Sequence, residues 1–269
     1  MLRTRIYTAV VLVLLIAAVL FSLPPRVGIG VLAFVLAAGA WEWAAFAGCT
    51  ALGVRIGYVV ATLLIGLATA QGLGAANAYQ LMWVAAAWWI VAGIRLSFFA
   101  HERVSVAMTL VAGWLTLLPA VTAVALLFAG PFRVDGNLFF ILLLALVAAA
   151  DIGAYFAGRR FGRLKLAPQV SPGKTWEGVI GGALLVGLVA IGFATAFGWS
   201  RPGFIGVASL VFVASIVGDL SESLFKRGAG LKDSGTILPG HGGILDRIDS
   251  LTAAAPFYVL GLRWMGLLQ

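Results

Sequence analysis

Runs of apolar residues close to the length of about twenty needed to cross the hydrocarbon core of a bilayer recur along this chain, and this recurrence restricts the fold more than any other feature. Nine such runs can be drawn, at 7–23, 28–48, 56–74, 79–99, 104–129, 137–157, 177–199, 204–225 and 250–268. Turn-forming residues such as Pro24-Pro25, Gly130-Pro131 and Arg201-Pro202-Gly203 fall between them. With 62% hydrophobic residues, 10% charged residues and a mean hydropathy of +1.07, the chain lies outside the range of a soluble globular domain. The expected fold is an all-α integral membrane protein with about nine transmembrane helices. Arg3 and Arg5 precede the first run as in a signal peptide, but no small-residue cleavage site follows, so a retained span is expected.

Positive charge then sets the orientation, because cytoplasmic connections are enriched in Lys and Arg. Fourteen of the eighteen fall in connections on the side of the N-terminus: Arg3, Arg5, Arg55, Arg95, Arg103, Arg159, Arg160, Arg163, Lys165, Lys174, Lys226, Arg227, Lys232 and Arg247. Only Arg26, Arg133, Arg201 and Arg263 fall on the other. The N-terminus is therefore expected in the cytoplasm, with both charged loops of the second half beside it. The net charge of +8 becomes a property of that surface, suited to anionic headgroups or nucleotide phosphates. The single cysteine, Cys49, excludes an intramolecular disulfide framework and any multi-cysteine metal site. No repeat of fixed period is visible.

The acids are less evenly spread. Glu42, Glu102 and Asp135 are scattered, whereas Asp151, Glu177, Asp219, Glu222, Asp233, Asp246 and Asp249 all lie beyond residue 150. Ionisable groups in or beside spans are costly unless paired or hydrated, which points to chemistry in the second half. The chain accordingly divides into residues 1–136, carrying the first five spans, and 137–269, a catalytic region with two charged loops.

At the end of the eighth run, Asp219, Glu222, Ser223 and Lys226 share one helical face. A Glu222–Lys226 salt bridge is one reading of that stripe and a catalytic task the other, while Asp219 has no basic partner within a turn. There follows KRGAGLKDSGTILPGHGGILDRIDS, residues 226–250, with six glycines among its charges. Glycines allow tight turns whose N–H groups can face an anion, and Lys226, Arg227 and Lys232 add positive charge, so phosphate is the expected guest. Asp246 and Asp249, three apart at the start of the last run, can point to one site, which Asp219 joins if the last two helices pack antiparallel. Such carboxylates beside Lys and Arg suit hard divalent cations that bridge phosphate oxygens. His241 could bind phosphate, act as acid or base, or cap the turn. In the other loop Ser171-Pro172-Gly173-Lys174-Thr175 lacks the full P-loop spacing. An interfacial basic patch accounts for Arg159, Arg160 and Arg163, whereas Lys174 and Glu177 sit more specifically beside a turn and a helix start.

From Ser223 to Asp249 the residues read S-x-x-K-R-x4-K-D-x-G-x3-P-G-H-G-G-x-x-D-R-x-D, which resembles the signature of the phosphatidate cytidylyltransferase family. Asp151 to Arg159, D-x-G-A-Y-x-x-G-R, and Ser171 to Gly178, S-P-x-K-T-x-E-G, are similar to it too. Ile152 departs, standing where the family carries a small or hydroxylated residue. The resemblance covers residues 140–269 and implies conversion of CTP and phosphatidic acid to CDP-diacylglycerol and pyrophosphate, dependent on magnesium and assisted by a monovalent cation, potassium. It implies Asp219, Asp246 and Asp249 as metal ligands and Lys226 and His241 beside the reacting groups. Lys226, Arg227, Lys232 and Arg247 would hold phosphates, with Ser223 and Asp233 in the same substrate site and Ser171, Lys174 and Glu177 as its opposite wall. The expected partners are CTP, phosphatidic acid and membrane lipids, with no nucleic acid and with room for a homodimer. The expected location is a bacterial cytoplasmic membrane. A CTP-dependent lipid kinase is the alternative enzyme. A transporter or flippase would need polar residues near the midplane of several spans, a pattern not seen here.

Overall fold

The computed structural model describes residues 24–72, 75–98, 104–129, 133–238, 240 and 242–268. The first run, Arg3, Arg5, Glu102, Arg103 and His241 lie outside the described residues. Within them the chain forms eight long helices: α1 (Pro25–Phe46), α2 (Leu52–Gly72), α3 (Ala75–Phe98), α4 (Val106–Ala129), α5 (Arg133–Phe161), α6 (Trp176–Ala196), α7 (Arg201–Gly228) and α8 (Leu245–Trp264). Helices are the natural outcome for such runs, because in lipid each backbone N–H and C=O must be bonded within its own segment.

Seven of the eight, α1 to α7, are long and apolar enough to cross a membrane, which makes this an integral membrane protein. Against the nine expected spans, the described residues hold these seven, and the first run lies outside them. The helix over the last run, α8, contains Asp246, Arg247, Asp249 and Arg263, too much charge for its 20 residues to qualify. The fold is all-α as expected, and the loop after α5 adds one small hairpin of β1 (Lys165–Ala167) and β2 (Ser171–Thr175). The strands are antiparallel, Lys165 opposite Thr175 and Ala167 opposite Ser171. Apolar residues in the loop explain the hairpin: Ala167 and Val170 are buried against Leu96 of α3 and Leu220 of α7.

The chain separates into two compact units. The first takes residues up to Ala78, 102–137 and Phe225–Ile248, and the second 79–101, Leu138–Leu224 and Asp249 onward. In the first, α1 packs against α2 and α4, and indole and phenol groups find backbone acceptors. Trp43 Nε1 donates to the Thr109 carbonyl over 2.7 Å and Tyr58 Oη to the Leu110 carbonyl over 2.8 Å. Bonds of this kind hold helices together where lipid weakens the hydrophobic drive.

In the second unit, small residues let backbones approach. A methyl on Gly153 of α5 would sit 2.5 Å from the carbonyl oxygen of Gly181 on α6. One on Gly218 of α7 would sit 2.6 Å from the carbonyl oxygen of Asp249 on α8. Gly218 faces Ala253 while Val207 faces Gly261, so α7 and α8 run antiparallel. Ala85, Trp89 and Ala92 of α3 share a core with Ala214 and Ala253.

Candidate active site

The second unit contains a cavity of about 360 Å³. Asp151, Tyr155 and Arg159 of α5, spaced four apart on one face, form one wall. The hairpin contributes Gly173, Lys174 and Thr175, α7 contributes Ser215 and Asp219 one turn apart, and α8 contributes Ser250. Thr175 turns the chain from β2 into α6: its side chain caps the helix by accepting from Gly178 N–H over 3.1 Å, meeting one of the donors a helix start leaves open. Lys174 is thereby aimed at the cavity, where it forms an ion pair with Asp219. Both side chains keep about a quarter of their exposure, at 27% and 26%, so the pair remains within reach of a ligand. Arg159 Nη1 donates to Tyr155 Oη over 2.8 Å.

In the first unit the glycine-rich loop is organised around two carboxylates. Lys226 Nζ donates to Asp246 Oδ1 over 2.7 Å, and the backbone N–H groups of Ser234 and Gly243 each donate to Oδ2 over 2.9 Å. Burial alone would raise the Asp246 carboxyl, but these three hydrogen bonds and the Lys226 charge outweigh it and hold the group below the usual aspartate range. Gly240 and Gly242 adopt φ of 78° and 81°, the left-handed region glycine tolerates, and Leu238 N–H closes the turn on the Gly242 carbonyl over 2.9 Å. Sequence reasoning expects loop N–H groups to face a foreign anion. Those of Ser234 and Gly243 instead face this chain's own carboxylate.

Lys226 forms an ion pair with Asp246, a partner that the helical stripe of Asp219, Glu222 and Ser223 does not suggest. The other expected site residues divide. Asp219 and Lys174 meet in the cavity. Asp249 Oδ1 accepts from Ser250 N–H over 2.7 Å, and Ser250 lines the cavity. Glu177 takes the Leu164 N–H at 3.2 Å and 3.3 Å on its two oxygens, bracing the entry to the hairpin, and Ser171 opens β2 opposite Ala167. Neither Glu177 nor Ser171 lines the cavity. Ser223 is half-buried on α7, while Arg227, Lys232, Asp233 and Arg247 are exposed. Arg227 Nη1 donates to the Leu231 carbonyl over 3.2 Å. Sequence reasoning gave no role to Asp151, Ser215, Ser250 or Glu42, and it set Arg159 aside as interfacial. The fourfold spacing of Asp151, Tyr155 and Arg159 could have shown that they share a face.

Among the described residues no group of three or more His, Cys, Asp or Glu side chains is gathered to hold a metal. The cavity still suits a hard divalent ion. It offers the carboxylates of Asp219 and Asp151 and the hydroxyls of Ser215 and Ser250, oxygen donors only, and magnesium commonly takes one or two carboxylates and fills its remaining positions with water and substrate phosphate.

Membrane-crossing helices that surround a cavity lined by lysine, arginine and aspartate define an integral membrane protein with the chemistry to hold phosphate groups. The chain belongs to the cytidylyltransferase family, whose family model matches residues 3–265. It is 41% identical to a phosphatidate cytidylyltransferase of Pseudomonas aeruginosa, covering 98% of this chain and 97% of that one. It is 38% identical to a phosphatidate cytidylyltransferase of Haemophilus influenzae, covering 96% and 97%. A phosphatidate cytidylyltransferase of Brucella suis is 52% identical over 123 residues, 45% of each chain.

Proposed function

We infer that this protein transfers a cytidylyl group from CTP to phosphatidic acid, giving CDP-diacylglycerol and pyrophosphate for phospholipid biosynthesis. The observation that carries the reading is the near full-length kinship with phosphatidate cytidylyltransferases. The Lys174–Asp219 pair set in a cavity of membrane helices supports it. A phosphate oxygen of phosphatidic acid attacks the α-phosphorus of CTP, the bond from that phosphorus to the oxygen bridging to the β-phosphorus breaks, and pyrophosphate leaves. Both reactants are anionic, so the work of the protein is to hold them together and offset their repulsion. Lys174 and Arg159 supply positive charge in the cavity. Lys226, Arg227, Lys232 and Arg247 are proposed to hold phosphates from the glycine-rich loop and its flanks.

Asp219 and Asp151 are the residues that would hold magnesium in the cavity of the second unit, with Asp249, which the resemblance adds, beside the cavity-lining Ser250. Asp246, which the resemblance adds to the ligand set, has both oxygens engaged by Lys226, Ser234 and Gly243. Bound magnesium supplies charge neutralisation at the phosphate oxygens. The proposed setting is a bacterial cytoplasmic membrane with the site on the cytoplasmic side, supported by the distribution of Lys and Arg and by bacterial relatives. Purified protein given radiolabelled CTP, phosphatidic acid and magnesium should form CDP-diacylglycerol and pyrophosphate, and EDTA should stop it. Release of CDP with a phosphorylated lipid alcohol would establish a kinase instead.

A further inference from the structure

Glu42 lies in α1, within the half of the chain to which sequence reasoning gives nothing but spans, yet its side chain is occupied by the signature loop. The residue is 1% exposed. Its Oε1 accepts from Ile244 N–H over 3.0 Å, and its Oε2 accepts from Leu245 N–H over 2.9 Å and from Ser234 Oγ over 2.8 Å. Ile244 and Leu245 stand at the start of α8, where backbone donors have no partner inside the helix and the dipole favours negative charge. The cap for this helix is thus supplied by a residue some two hundred positions earlier in the chain. Ser234 extends it, because its Oγ also accepts from Asp246 N–H over 3.3 Å while its own N–H bonds the Asp246 carboxylate.

Two loop glycines are shaped to this clamp. A methyl on Gly235 would sit 2.6 Å from Glu42 Oε1, and one on Gly243 would sit 2.5 Å from both carboxylate oxygens. Such distances are far inside contact, so no side chain fits at either position while Glu42 remains where it is. The clamp is anchored from α1 itself: the ring of the adjacent Trp43 packs on Phe225 at 5.2 Å between centroids and its Nε1 bonds α4.

We propose that Glu42 is a positioning residue for cytidylyl transfer, which acts through Ser234 and the first turn of α8 to hold Asp246 and, through it, Lys226. The inference rests on the functional reading above. It gives the N-terminal helices a part in the reaction beyond anchorage.

Glu42→Gln keeps the shape but replaces one acceptor oxygen by an NH2 group, which sets a donor against a backbone donor whichever way the amide turns. The purified, monodisperse variant should show kcat lowered about 10- to 100-fold, the scale of a lost hydrogen bond to a charged group, at saturating CTP and phosphatidic acid. Hydrogen exchange, which needs no turnover, should quicken at the amides of residues 234–246 and stay unchanged in α2 and α4. Ser234→Ala should lower kcat by less, and the double variant should be no worse than Glu42→Gln alone. A merely structural Glu42 would instead reduce the yield of folded protein and leave kcat per folded molecule at the wild-type value. That result, or unchanged exchange in the loop, overturns the proposal. If Glu42→Gln does not fold, wild-type kcat and exchange in Ser234→Ala overturn it. Failure of the wild-type enzyme to make CDP-diacylglycerol would strike the functional reading instead, and the exchange comparison would still decide the clamp.

Discussion

Lys226 donates to Asp246 across 2.7 Å, and their side chains are only 9% and 8% exposed although each can carry a full charge. Breaking such a pair from one side strands a buried charge, which costs about 3–5 kcal/mol in comparable settings. The two sides are unequal here. Lys226→Met leaves Asp246 with the N–H groups of Ser234 and Gly243, whereas Asp246→Ala removes the acceptor from Lys226 and from both N–H groups at once. Asp246→Ala should therefore lower the thermal midpoint in detergent more than Lys226→Met, and equal losses would show that the backbone bonds to Asp246 carry little.

The same carboxylate gives the protein a pH dependence of known sign. Its folded pKa lies below the ordinary aspartate value, so its contribution is complete above the unfolded value and disappears as pH falls through the folded one. Stability should decline from roughly pH 5 downward. Thermal midpoints measured against pH should show a shallower acid slope in Asp246→Asn than in the wild type.

How far these arrangements could be read beforehand depends on whether a local pattern or a long-range contact sets them. Helices α1 to α8 follow eight of the nine apolar runs, because a run of spanning length leaves the backbone no other way to bond. The hairpin escaped, because Ala167 of β1 and Val170 of the turn settle only where Leu96 and Leu220 cover them. Lys174 and Asp219 were both picked out as site residues, yet nothing in their spacing announces that they pair. Glu42 looked like a scattered acid, because its partners Ser234, Ile244 and Leu245 are brought to it only by the fold.

In the cavity, Asp219 faces Lys174 and is the proposed magnesium ligand. Asp219→Asn should reduce CDP-diacylglycerol formation by about 100-fold or more, the scale of losing one electrostatic element from an enclosed site, with normal expression and thermal midpoint. Lys174→Met should show its effect mainly as a raised KM for CTP. Steady-state kinetics with each substrate varied in turn separates the two, and wild-type turnover in Asp219→Asn would remove the metal role.

Arg159 lines the cavity one turn along α5 from Tyr155 and Phe156, which with Ile152 are exposed apolar side chains at 57%, 66% and 50%. A lipid phosphate whose acyl chains stay in the bilayer would meet Arg159 there, and the bond to Tyr155 fixes the guanidinium for it. Arg159→Lys loses the planar fork that suits phosphate. It should raise KM for phosphatidic acid by about tenfold and leave KM for CTP unchanged, with Tyr155→Phe showing a smaller shift in the same direction. A rise in the CTP value instead would assign Arg159 to the nucleotide.

The walls of the cavity depend on how closely α5 and α6 approach. At Gly153 an added methyl meets the carbonyl oxygen of Gly181 at 2.5 Å and Gly182 Cα at 2.9 Å, backbone atoms that cannot turn aside. Gly153→Ala must therefore push the helices apart, at a cost of about 1–3 kcal/mol by analogy with overpacked cores. Gly187, farther along α6, has no atom within 4 Å of an added methyl, so Gly187→Ala should be neutral or slightly stabilising. Thermal midpoints of the two variants should separate in that order. Activity should fall with the midpoint in Gly153→Ala alone, because Tyr155 and Arg159 ride on the displaced helix.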